Sequence, residues 1–322
     1  MIRWLLRCGV AVLFLDLLVF SLASPASAQQ KAKLRQVRIA LPSQTIGATH
    51  YYVGRNLGIF EQYGIEAQIL VLEPRAALAA LLTGDLDFYT ATGTSTRAAL
   101  RGVPVRVAMV GLNRPDHVLV GAKEITGIEQ LRGKTIGGYT ANATVNIVLM
   151  ELLRRKGLKP DEYKILNVGT ARFAALVGGS VPAAVLNGLE TSRAAKQGFR
   201  PLARAAEVIE LSTGGLCTSI ASLQSKRELY RAVLQASLES IRVVVSQREK
   251  VLAVLTKQFA ITNEEAGFIY DNVHNGWALD GKPTAGSTKF EFDLAQKEMG
   301  LKEAPKPEQV YDFSLLDEIA KR

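Results

Sequence analysis

The sequence predicts an α/β protein of sheets flanked by helices, and three observations carry that prediction. From Val37 onward short β-type runs alternate with helical patterns. Glycine or proline punctuates most changes of period, and the pattern becomes wholly helical only after about residue 225. Composition agrees with a globular chain: 322 residues, 48% apolar and 21% charged, exclude a disordered, collagen-like or disulfide-scaffold protein. At about 150 residues per domain the length suits two cores.

Residues 1–28 read as a secretory signal peptide. Arg3 and Arg7 supply the positive start, an apolar stretch follows, and Ala26-Ser27-Ala28 is a small-x-small cleavage site that places the mature start at Gln29. Asp16 interrupts the apolar stretch, so no uninterrupted run approaches the ~20 residues needed to span a bilayer. The expected location is the periplasm. Cys8 leaves with the signal, so Cys217 is the one thiol of the mature chain and no internal disulfide forms. The formal charge of +9 falls by one when Arg3, Arg7 and Asp16 are removed.

The elements then follow in order. Residues 37–41 form a strand ended by Pro42, 51–63 a helix, 67–72 a strand, 76–82 a helix stopped at Gly84, and 86–89 a strand. A helix over 94–100 stops at Gly102, and 105–110 is a strand. A second unit repeats the rhythm: an apolar run at 117–121, a short helix at 128–131, a strand at 135–137 and a strong helix over 142–156. Arg154, Arg155 and Lys156 close that helix before Gly157, where cations meet the negative end of the dipole. That accounts for them without nucleic acid. Ala80-Leu81-Leu82-Thr83-Gly84-Asp85-Leu86 is echoed by Ala175-Leu176-Val177-Gly178-Gly179-Ser180-Val181, about 95 residues later. Ala98-Ala99-Leu100-Arg101-Gly102 is echoed by Ala194-Ala195-Lys196-Gln197-Gly198, so the two units read as related. Residues 225–277 are helical throughout, 281–287 form a loop, and small helices complete the chain. The segment around Cys217 is strand-like and able to return the chain to the first unit.

Signatures of catalysis are missing. No G-x-S-x-G, P-loop, G-x-G-x-x-G, H-E-x-x-H or C-x-x-C occurs, and His50, His117 and His274 are far apart in sequence. Cys217 lies among apolar neighbours and reads as a buried hydrophobe. Asp85 and Asp87 border a turn, where capping is the commoner role. The expectation is a protein that is not an enzyme, with no catalytic residue, metal or cofactor.

Several runs resemble one family. Tyr52-Val53-Gly54 through Gly58-Ile59-Phe60 to Gly64-Ile65, and Ala80-Leu81-Leu82-Thr83-Gly84-Asp85-Leu86-Asp87-Phe88, are similar to its first-lobe motifs. Gly102-Val103-Pro104-Val105, the run from Ile128 to Gly137, and Gly157-Leu158-Lys159-Pro160 follow in the family's order. Together they resemble the solute-binding proteins of nitrate/sulfonate/taurine-type ABC importers, a family that also embraces binders of thiamine-pyrimidine precursors. The resemblance implies a type 2 periplasmic binding fold, two α/β lobes closing on a solute. Lobe 1 would take 29–115 and 221–322, and lobe 2 would take 116–220. It implies a small-molecule solute, an ABC permease and ATPase at the inner membrane as partners, and a monomer. A thiamine-pyrimidine-related enzyme and a periplasmic sensor subunit are the rival readings. Pro182-Ala183 and Asn187-Gly188 depart from the family pattern near the cleft edge.

Ligands of open α/β sheets sit beyond the carboxyl ends of strands, at helix starts. Four such loops are named: Ser43, Gln44 and Thr45 after the first strand; Thr92, Thr94 and Ser95; Tyr139, Asn142 and Thr144; and Asn187. Their hydroxyls and amides at helix starts suit an anionic group, as does the basic excess, although such residues also cap helices without any ligand. His50 and Trp277 are added as a hydrogen-bonding group and a stacking wall.

Overall fold

The protein, described by a computed structural model, is defined over residues 33–42, 46–139 and 144–321. The signal sequence at 1–28 and the candidates Ser43, Gln44, Thr45 and Asn142 lie outside the described residues. Ten strands form two five-stranded sheets. The first contains β1 (Arg35–Leu41), β2 (Ile65–Val71), β3 (Phe88–Tyr89) and β4 (Val105–Met109). The second contains β5 (Val118–Gly121), β6 (Thr135–Gly138), β7 (Lys164–Asn167), β8 (Ala183–Leu186) and β9 (Arg200–Arg204). The last strand, β10 (Leu216–Ser219), returns to the first sheet, before residue 220.

The strand orders are β2-β1-β3-β10-β4 and β7-β6-β8-β5-β9. In each sheet the strand entered from a connector out of the other sheet, β10 in the first and β5 in the second, alone runs antiparallel to its neighbours. The two stretches of sequence echo lead into β3 and β8, and into β4 and β9. They occupy equivalent places in the two sheets.

Local chemistry explains most element boundaries. The helix expected over 51–63 is two, Thr49–Asn56 and Ile59–Gln62, because Gly58 takes φ 70° between them and no side-chain-bearing residue does so cheaply. The strand expected over 86–89 is only Phe88–Tyr89. Asp87 is instead spent on structure, its carboxylate accepting from Arg38 N, Lys226 Nζ and Tyr230 Oη. The short helix Ile128–Leu131 is of the 3-10 type. The helical region resolves into Arg227–Ser246, Arg248–Phe259 and Asn263–Val273, the last started by a Thr262–Glu265 capping box. The expected loop 281–287 ends early. Thr284 accepts from Ser287 N and starts the helix Ala285–Met299, which is longer than the small helices predicted there.

Burial follows the alternation of apolar side chains. Helix Arg227–Ser246 buries Tyr230, Val233, Leu234, Leu238 and Ile241 against the first sheet's helices. The second sheet has its own core of Leu119, Ile136, Val148, Leu149, Leu152 and Val185. At about 1.5–3 kcal/mol for each large aliphatic side chain, these cores dominate stability.

Topology decides where the two sheets meet. The connector 110–117 leaves the carboxyl end of β4 and enters β5, whose start lies beside the carboxyl end of β8. The return connector 205–215 leaves the carboxyl end of β9 and enters β10, whose start lies beside the carboxyl end of β4. Both sheets therefore turn their carboxyl edges toward the same connectors. Leu112 and Thr213 pair across them by two backbone hydrogen bonds of 2.9 and 2.8 Å, and Leu112 also bridges to Trp277.

Candidate functional site

On the first sheet's side, helix Thr49–Asn56 carries His50 and Tyr51 to the connectors. Tyr51 Oη donates to the carbonyls of Gly214 and Gly215 at 2.9 and 3.0 Å. Backbone and side chain pack so closely here that a Cβ on Gly111 would stand 2.3 Å from Gly214 O and 2.9 Å from His50 Cε1. His50 is fully buried and neither ring nitrogen has a hydrogen-bond partner. Burial pulls its pKa from 6.5 down to about 3, so the ring is neutral. The Trp277 ring meets it edge-on with centroids 5.2 Å apart, and Trp277 Nε1 is likewise buried without an acceptor. These unsatisfied donors and acceptors are exceptional in a packed interior.

The other first-sheet candidates divide. Thr92 Oγ1 donates to Ser212 O at 2.6 Å, tying the start of helix Thr92–Leu100 to the return connector. Thr94 is half-buried. Ser95 is buried beside the Cys217 thiol, and its hydroxyl has no hydrogen-bond partner among the described residues. That thiol is fully buried and pushed up to about 12 by burial, with Ser95 opposing the shift, so it is no nucleophile at neutral pH.

On the second sheet's side, Tyr139 follows β6. Its N–H donates to Asn146 Oδ1 at 2.8 Å and its ring lies 5.4 Å from the Arg172 guanidinium carbon. Asn187 follows β8 and caps helix Gly188–Lys196: its Oδ1 accepts from Glu190 N, and its N–H donates to Glu190 Oε2. Its side-chain carbonyl is thus committed to the helix. Thr144 opens helix Thr144–Arg155.

Arg172, which the sequence does not single out, starts helix Arg172–Val177 beyond β7. It is 8% exposed, with Nε on Val185 O at 2.8 Å and Nη1 on Gly169 O at 2.6 Å. His117 and Glu190 lie within its electrostatic reach, and both also feel Asp116. A signal for it existed: shifted by the offset of the echo, Arg172 falls at the place of Ala77, a fully buried alanine. An arginine there is buried too.

A cavity of about 290 Å³ opens beside the connectors between Arg114, Arg155, Glu210 and Phe290, and none of the sequence candidates lines it. Among the described residues no group of three His, Cys, Asp or Glu side chains is placed to hold a metal ion.

Comparison with known proteins agrees with this architecture. A family model described as NMT1/THI5 like matches residues 46–250. The riboflavin-binding protein RibY of Chloroflexus aurantiacus is 26% identical over 233 residues, covering 68% of this chain; the chain spans 65% of the length of that curated relative. Among solved structures, the periplasmic aliphatic sulphonate-binding protein SsuA of Escherichia coli superposes with a TM-score of 0.70 at 18% identity, over 86% of this chain and 92% of its own. The periplasmic nitrate-binding protein NrtA of Synechocystis PCC 6803 gives 0.69 at 11% identity, over 90% and 89%. The desulfurization enzyme DSZB shares the fold as well, with a TM-score of 0.67 at 11% identity over 89% and 99%. The fold is therefore the two-lobed one of periplasmic binding proteins, and enzymes also use it.

Proposed function

The chain belongs to the NMT1/THI5 like family, and from that premise we propose that it captures a small organic anion between its two sheets and delivers it to an ABC importer. One observation carries the reading. The carboxyl edges of both sheets converge on the same connectors, and three of the buried polar atoms without partners lie there: both nitrogens of His50 and the indole N–H of Trp277. Groups left unsatisfied inside a protein cost stability, so they are expected where a ligand completes them. Thr92, Thr94, Ser95, Tyr139, Thr144 and Asn187, with Ser43, Gln44, Thr45 and Asn142 of the loops, complete the proposed lining.

Closure of the two lobes around the solute would present a docking surface to permease and ATPase subunits, a population shift driven by the ligand. Export by the signal at 1–28 puts the protein in the periplasm, where such delivery occurs. A second reading takes its support from the His50–Trp277 pair. Two aromatic rings with free hydrogen-bonding edges also suit a flat heterocycle, the class that includes the riboflavin named for RibY.

Native mass spectrometry of gently purified protein, followed by thermal shift with sulfonates, nitrate, aromatic carboxylates, pyrimidines and riboflavin, tests both. A true solute co-purifies and raises the melting temperature by mass action. Turnover of a candidate into product would refute capture in favour of an enzyme.

A further inference from the structure

We propose that Arg172 selects the solute by charge, receiving one monoanionic head group, carboxylate or sulfonate, while Asp116 and Glu190 beside it turn away doubly charged ones. The inference rests on the capture reading above. Arg172 is a buried cation, and buried cations are ordinarily matched by an anion. Here Nε and Nη1 are held by two backbone carbonyls, which fix the plane of the guanidinium but carry no net charge. Among the described residues no carboxylate lies within 4.0 Å of it, and Nη2 makes no hydrogen bond. The fork is oriented, and beyond the Tyr139 ring at 5.4 Å its charge has no anionic partner among the described residues, as bidentate oxyanion recognition needs.

The surroundings set how much negative charge the place accepts. Asp116 Oδ2 is buried without a partner, and Oδ1 stands 3.5 Å from His117 Nδ1 without completing a hydrogen bond. Burial lowers the His117 pKa against the pull of Asp116, so this ring adds no cation. Burial raises the Glu190 carboxyl pKa, while the Asn187 N–H and the Arg172 charge oppose that rise. Arg193, the other cation felt by Glu190, is turned toward Glu265 at 3.6 Å. On the facing sheet His50 is neutral. One positive charge thus stands beyond the carboxyl end of β7, and Glu190 feels both it and Asp116. A first negative charge is attracted, and a second meets the carboxylates, with Arg193 turned to Glu265 and Arg204 held by Asn272.

An isosteric series isolates the effect: dimethyl sulfone, methanesulfonate and sulfate share one tetrahedral shape and differ by unit steps of charge. Calorimetric titration of the signal-free chain at matched ionic strength should show methanesulfonate binding about tenfold or more tighter than either neighbour. Arg172→Gln should erase that preference with the circular dichroism spectrum unchanged. Asp116→Asn and Glu190→Gln should each tighten sulfate while moving methanesulfonate less, which tests the proposal even if Arg172→Gln does not fold. Sulfate binding as tightly as methanesulfonate, no measurable binding of any of the three, or a preference that survives Arg172→Gln overturns it. An uncharged co-purifying solute removes charge selection and leaves capture standing; turnover to product removes capture itself.

Discussion

The two sheets share one strand order, yet they bring opposite chemistry to the edge they share. The first presents neutral groups packed tightly: His50 stripped of its proton by burial, the Trp277 indole and the Thr92 hydroxyl. The second presents charge: Arg172 with Asp116 and Glu190 close by. At equivalent places one sheet keeps Ala77 and the other keeps Arg172. A repeated backbone framework thus carries different side chains at equivalent places, and on the reading proposed above these decide the kind of solute.

The neutral side is the easier to break with pH. His50 has its pKa lowered from 6.5 to about 3, so its contribution is present above pH 6.5 and is lost as pH falls toward 3. The unfolded chain takes up the proton that the folded one refuses, which costs on the order of 4–5 kcal/mol over that window. His50→Asn should flatten the acid limb of the stability profile measured by urea unfolding; an unchanged limb would show that this ring is not held neutral. Glu291 gives the opposite slope. It is 3% exposed behind helix Thr92–Leu100, and burial raises its carboxyl to about 7 against the weaker opposing pulls of Arg97 and Thr96. Its contribution is complete below pH 4.5 and is lost as pH rises to about 7, roughly 3 kcal/mol in all. Glu291→Gln should therefore gain stability relative to the parent between pH 5 and 8, with little difference at pH 4. Tyr311 and Cys217 face the same carboxylate and remain protonated across that range, so they do not mask the slope.

Much of the framework was legible in the sequence because alternation, glycine stops and caps are local. The echo before Leu86 and Val181 located β3 and β8, and the strand-like run around Cys217 was found as β10. The helix over 51–63 was misread because periodicity continues through Gly58, and only the left-handed backbone there shows the break. The site was less legible. His50 and Trp277 were named, but their contact joins residues more than two hundred positions apart. Arg172 was missed because a lone arginine at a helix start reads as a surface cation. Ser95 is buried beside Cys217, a neighbour far away in sequence that the pattern at a helix start does not reveal.

The tight packing of the neutral side gives the next test. Gly111→Ala puts a methyl 2.3 Å from the Gly214 carbonyl, where backbone cannot step aside, so a loss of about 1–3 kcal/mol is expected. The collision also separates the two connectors, so solute affinity should fall along with the melting temperature. On the charged side the smallest effect is expected at Asn187. Asn187→Ala removes one cap bond at 2.9 Å from helix Gly188–Lys196, a loss of about 1 kcal/mol. Because the Oδ1 atom is already committed to Glu190 N, only the amide nitrogen is free for a solute. A drop in stability with affinity retained would assign Asn187 to the framework that both sheets share. A drop in affinity larger than tenfold would place its amide on the ligand, and the second sheet would then recognise its solute by a neutral hydrogen bond as well as by charge.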